Sequence, residues 1–200
     1  QVEDRSIMLL IDSNYSYRSD ELQSWYDNPQ SPFGTKGNRN RFNTTSQTFS
    51  RRALTTRKEG GVLSTAAVLT MTSTPLRTSP IKRGAWATTV IFNDPPPPPP
   101  DLVPEIEEDD AAIAASGLTI RDRLKQHASD QSCASCHAKI DPFGFALENY
   151  DAVGRWRDEY AGGLPVDASG ELFGEIKFNN IIEFKDAILA RPEKFIRGFS

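Results

Sequence analysis

The residues with the sharpest chemistry lie within five positions of one another: Cys133-Ala134-Ser135-Cys136-His137. They include both cysteines of the 200-residue chain and one of its two histidines. Cys-x-x-Cys-His is the pattern of c-type haem attachment. Each thiol adds to one vinyl group of a porphyrin and forms a thioether. Two intervening residues let one helical turn present both sulfurs along one edge of the macrocycle, and the next residue, a histidine, swings beneath it to ligate iron. The motif therefore predicts one covalent haem c, held by Cys133 and Cys136, with His137 as the proximal iron ligand.

Other chemistries use parts of the same cluster. His127, Cys133, Cys136 and His137 make a zinc set of two thiolates and two imidazoles, but adjacent residues such as Cys136 and His137 rarely reach one tetrahedral ion together. A thiol–disulfide pair needs only the two cysteines. It usually opens a helix after a strand, and no βαβ pattern surrounds it here. A chance match is the remaining alternative.

A haem places demands on its neighbours. The second ring nitrogen of His137 needs an acceptor to fix the ring, and a backbone carbonyl near Asp141-Pro142 is the nearest candidate. Phe143, Phe145, Leu147 and Tyr150 are candidates to wall the macrocycle, or else form plain helix core. Arg155 and Arg157 are candidates to pair with propionates, or stand as an exposed basic pair. The sixth iron position has three readings: His127, carried round the haem edge by a loop at 129–131; Met71, far back in the chain; or no protein ligand.

The elements around the motif predict a mainly α chain with long irregular loops and one short β-hairpin, in which a small cytochrome c-like haem domain follows a proline-rich linker. Three segments follow from composition: a helical and loop-rich domain over 1–93, a proline-rich and acidic linker over 94–118, and a c-type haem-binding helical domain over 119–200. The boundary is set by six consecutive prolines, Pro95 to Pro100, which cannot enter a helix or a central strand. As polyproline II at about 3.1 Å per residue they make a rod of roughly 19 Å. Before it, helices are predicted near Asp20, over 61–71, and from Ser79, an N-cap followed by Pro80 at the first helical position. Residues 28–57, rich in Asn, Ser, Thr, Gly and Arg, read as a long loop or weak hairpin. After the rod, Thr119 caps a helix with Asp122 in capping-box position. A second helix is predicted over 143–156, ending at Gly154. A hairpin follows, turning at Ser169-Gly170, then a helix broken at Arg191-Pro192.

Composition narrows the function classes. Residues 1–100 carry a net charge of +4 and residues 101–200 a net −8. The basic residues are scattered and not interleaved with aromatics, which argues against nucleic acid as a partner. No apolar run reaches the eighteen or so residues that span a bilayer, so the chain is not expected to be membrane-spanning. The opening residues lack the basic-then-apolar order of a secretory signal, and the last helix stops while still apolar, as a fragment of a longer protein does.

Three stretches carry a resemblance: "GGVLSTAAVLTMTSTPLRTSPIKRGAW", the proline run before "DLVPEI", and "CASCHAKIDPFGFALENYDAVGRWRDEY". Together they resemble the large planctomycete-type multidomain cytochrome proteins, whose parts are mostly domains of unknown function. The resemblance covers nearly the whole chain. It implies a larger, exported protein with one or more covalent haems, and a histidine at the position of His127; it supplies no reaction.

The leading functional expectation is electron transfer by an exported c-type cytochrome, with a redox partner protein or self-association. The alternatives are a haem enzyme using peroxide or oxygen at an open distal site, with His127 as acid–base, and a structural haem protein. Because haem attachment takes place outside the bacterial inner membrane, the motif implies a periplasmic or extracellular location.

Overall fold

The computed structural model describes residues 5–27, 48–75, 77–98, 115–128 and 131–199. Among these residues seven α-helices dominate: α1 Asp20–Asp27, α2 Ala66–Met71, α3 Pro80–Trp86, α4 Ile120–His127, α5 Gln131–Phe145, α6 Ile181–Leu189 and α7 Pro192–Ile196. Two short antiparallel pairs accompany them, β1 Tyr15–Arg18 with β2 Ser50–Ala53 and β3 Gly170–Leu172 with β4 Ile176–Phe178. The mainly α expectation with a short hairpin holds.

Helix starts follow local chemistry. Ser79 accepts a hydrogen bond from the Lys82 amide at 3.3 Å, with Pro80 at the first helical position of α3. Thr119 and Asp122 form a complete capping box at the head of α4, which satisfies two amides that a helix start otherwise leaves without partners.

The helix carrying the motif, α5, is fixed by a close crossing with α3. A side-chain carbon added at Gly84 would lie 2.1 Å from the Ile140 carbonyl oxygen, and one added at Gly144 would lie 2.0 Å from that of Pro80. Each helix thus supplies a glycine where the other's backbone presses in. Because the contact is with backbone on both sides, neither helix can yield by turning a side chain.

Beyond Phe145 the chain leaves the helix, and the prediction of a helix over 143–156 is corrected. Arg83 of α3, fully buried, donates to the carbonyls of Leu147, Tyr150 and Asp151, each at 2.7 Å. No straight helix can aim three such carbonyls at one guanidinium. The segment instead coils around Arg83, and Tyr150 pairs with Trp156 in an isolated antiparallel bridge. Glu148, also fully buried, lies 3.3 Å from Arg83 and accepts from Thr78 at 2.8 Å, Arg157 at 3.2 Å and Tyr160 at 3.3 Å. Burial lowers the Arg83 pKa, opposed by the charge of Glu148. Burial also raises that of the Tyr160 phenol, reinforced by Glu148.

Residues from both sides of the proline run share one apolar core. Ile11, Leu63, Leu69, Ile91 and Phe92 pack with Phe143, Leu147, Leu172, Phe184 and Phe195. The aromatic contacts run from Phe92 to Phe143 at 4.9 Å between centroids, and from Phe143 to Phe184 at 5.8 Å. Polar ties bind the first segment to α6: Arg57 bridges Asp12 and Asp186, and the buried Lys185 ammonium donates to the Arg57 and Gly60 carbonyls.

Two further expectations change. The predicted helix over 61–71 begins only at Ala66, whose amide donates to the Tyr26 hydroxyl at 3.0 Å. The hairpin turns at Phe173 and Gly174, with φ of 60° and 72°, and not at Ser169-Gly170. Gly170 opens β3 opposite Phe178, whose ring stands where a side chain would. The loop expected over 28–57 contributes β2; residues 28–47 lie outside the described residues, as do residues 99–114 of the linker.

Two outcomes follow from the α3–α5 junction. Gly144→Ala drives a methyl group into the Pro80 carbonyl and costs about 1–3 kcal/mol of stability, as overpacking does; urea unfolding measures it. Glu148→Ala leaves Arg83 buried without its carboxylate and costs about 3–5 kcal/mol in the same measurement, the usual loss when one member of a buried pair is removed.

Candidate functional site

The first half of α5 carries the motif. Cys133 and Cys136 stand three residues apart, and His137 follows Cys133 by four, so the three share one face of the helix. Both thiols are partly buried, and they are not joined in a disulfide. His137 is 7 % exposed.

The orientation of His137 is set one turn further on. Its Nδ1 lies 2.9 Å from Oδ1 of Asp141. A carboxylate accepts and does not donate, so Nδ1 carries the proton. In the neutral ring the lone pair then belongs to Nε2, the atom a metal would use. The acceptor expected near Asp141-Pro142 was a backbone carbonyl; the structure places the Asp141 side chain there. The signal was present in the sequence, since an aspartate four residues after a histidine lies beside it on a helix.

The other site candidates are spread over separate environments. Phe143, Leu147 and Tyr150 belong to the main core. The Tyr150 ring meets Trp156 edge-on at 5.3 Å between centroids, and its hydroxyl donates to the Lys58 carbonyl. Burial raises the Tyr150 phenol pKa. Phe145 packs instead with Ile120 and Leu124 of α4, under the guanidinium of Arg121 at 3.8 Å. Arg155 lies over the Trp25 ring at 5.7 Å. Arg157 is committed to the Glu148 network and to the Glu148 carbonyl at 3.0 Å. The candidate haem-wall residues are therefore not gathered on one face.

Of the sixth-ligand candidates, Met71 ends α2 and is 62 % exposed. The backbone of His127 closes α4, and its side chain lies outside the described residues. Among the described residues, no three His, Cys, Asp or Glu side chains converge to hold a metal ion.

A cavity of about 520 Å³ runs along another side of α5, lined by Phe92, Lys139, Pro142, Phe143 and Phe173 among others. None of the three motif side chains lines it. Among the described residues, no helix is long and apolar enough to cross a membrane.

No curated protein and no solved structure matches the chain. A family model does match, over residues 59–160, just over half of the chain. The matched stretch holds α2 to α5, and with them the glycine crossing, the Arg83–Glu148 pair and the whole Cys-x-x-Cys-His motif. The chain belongs to PSCyt3, a family of proteins of unknown function (DUF1588).

Proposed function

We propose that the chain is an exported c-type cytochrome that carries one covalent haem and takes part in electron transfer. The observation that carries this reading is the donor set on one face of α5. Two thiols stand one helical turn apart, and beside them is an imidazole whose Nδ1 proton is engaged by Asp141. That set fits a haem: Cys133 and Cys136 would be its points of attachment, and His137 would present Nε2 to the iron. Bound haem supplies a one-electron centre whose potential depends on axial ligand, burial and neighbouring hydrogen bonds.

The chain's own residues hold this arrangement in place. Asp141 keeps the His137 ring from rotating. The α3–α5 crossing keeps the later turns of α5 from shifting. The family's label, PSCyt3, points the same way. No paired-acid, phosphate-loop or nucleophile–base motif suggests an enzyme, which favours electron transfer with a partner protein or a second copy of the chain. A periplasmic or extracellular location belongs to the same proposal, since thioether formation occurs outside the inner membrane.

The test is the protein made in a bacterial host equipped for haem attachment. Its intact mass should exceed that of the polypeptide by one haem, and its pyridine haemochrome spectrum should be that of two thioether links. Cys133→Ala should shift that spectrum toward a single link. A colourless protein of polypeptide mass, produced alongside a control cytochrome that acquires haem, contradicts the proposal.

A further inference from the structure

We infer that Asp141 is a positioning residue that lowers the reduction potential of the iron centre by holding the His137 Nδ1 proton with a charged acceptor. This rests on the haem reading above and deepens it.

The geometry separates this site from one in which a backbone carbonyl holds the histidine. The Nδ1–Oδ1 distance is 2.9 Å, and the side chains of His137 and Asp141 are 9 % and 20 % exposed. A carbonyl offers a dipole, whereas Asp141 offers a full negative charge away from most solvent. Charge-assisted hydrogen bonds are roughly twice as strong as neutral ones. Drawing the Nδ1 proton toward the carboxylate raises electron density across the ring, and Nε2 becomes a stronger donor. A stronger donor stabilises ferric iron relative to ferrous, so the potential falls.

The carboxylate is also held where it must be. Asp141 follows Ile140, whose carbonyl is pressed against Gly84, and it precedes Gly144, which is pressed against the Pro80 carbonyl. Pro142 comes directly after it inside the helix. The turn bearing Asp141 is thus clamped by α3 on both sides. The backbone that carries the carboxylate is thereby held against α3.

Spectroelectrochemical titration of the haem-loaded chain tests this, with wild type, Asp141→Asn and Asp141→Glu compared at one pH. The pyridine haemochrome fixes haem content for each. Asp141→Asn keeps a polar group of the same shape but removes the charge, so its midpoint potential should rise above that of wild type at equal haem content. Asp141→Glu keeps the charge and should lie closer to wild type than Asp141→Asn does. A residue that only stiffened the helix would alter haem yield or melting temperature and leave the potential unmoved. Equal potentials in wild type and Asp141→Asn, or equal shifts in both variants, overturn the inference while the cytochrome reading stands. If Asp141→Asn does not fold, Asp141→Ala, which also removes the charge, decides: a raised potential at equal haem content supports the inference, and an unchanged one overturns it. A wild type that acquires no haem overturns both.

Discussion

The structure depends on one buried cation. Arg83 projects from α3 into the turn that follows α5 and gathers the carbonyls of Leu147, Tyr150 and Asp151 together with the carboxylate of Glu148. A fully buried guanidinium is costly unless its donors are satisfied and its charge is opposed. Here its two terminal nitrogens find those acceptors only because the helix stops at Phe145 and the next residues coil around the group, while Nε has no partner among the described residues. The end of α5, the bridge between Tyr150 and Trp156 and the closed network of Thr78, Arg157 and Tyr160 all follow from that requirement.

The same junction divides α5 into two halves with different tasks. From Ile140 onward the helix is locked against α3 through Gly84 and Gly144, and its apolar side chains enter the core. The turns before Ile140 carry the thiols and the imidazole. Asp141 stands where the halves meet and passes the rigidity of one to the histidine of the other. In this account a group attached at the motif is oriented by packing that begins on the far side of the proline run. The family match covers α2 and α3 together with the Cys-x-x-Cys-His residues.

Much of the local structure was legible in the residues themselves. Ser79-Pro80, and Thr119 with Asp122, announce helix starts because caps act within three positions of the chain. The break at Arg191-Pro192 is legible for the same reason. What periodicity could not reveal is decided at long range. Phe143, Leu147, Tyr150 and Val153 are spaced as a helix, but Arg83, more than sixty residues earlier, overrides that spacing. Ser169-Gly170 looks like a turn, yet Gly170 is small because Phe178 lies over it, and the turn falls at Phe173 and Gly174. At the site, the spacing of Cys133, Cys136 and His137 already places them on one face of a helix, as α5 does. Sequence alone offers either a carbonyl or the Asp141 carboxylate as the acceptor; the i, i+4 rule selects the carboxylate once α5 is known to be continuous. The candidate wall residues Phe143, Phe145, Leu147 and Tyr150 are close in sequence, but the fold divides them among separate environments, and Arg155, a candidate propionate partner, lies over Trp25.

The most direct measurement is peptide mapping of the purified, haem-loaded protein by tandem mass spectrometry. Trypsin releases residues 126–139 as one peptide containing Cys133, Cys136 and His137. The account predicts that this peptide, and no other, carries the mass of one haem, with fragments placing it on both cysteines. The same peptide recovered with two thiols or an internal disulfide, from protein whose haem sits elsewhere or is absent, would contradict it.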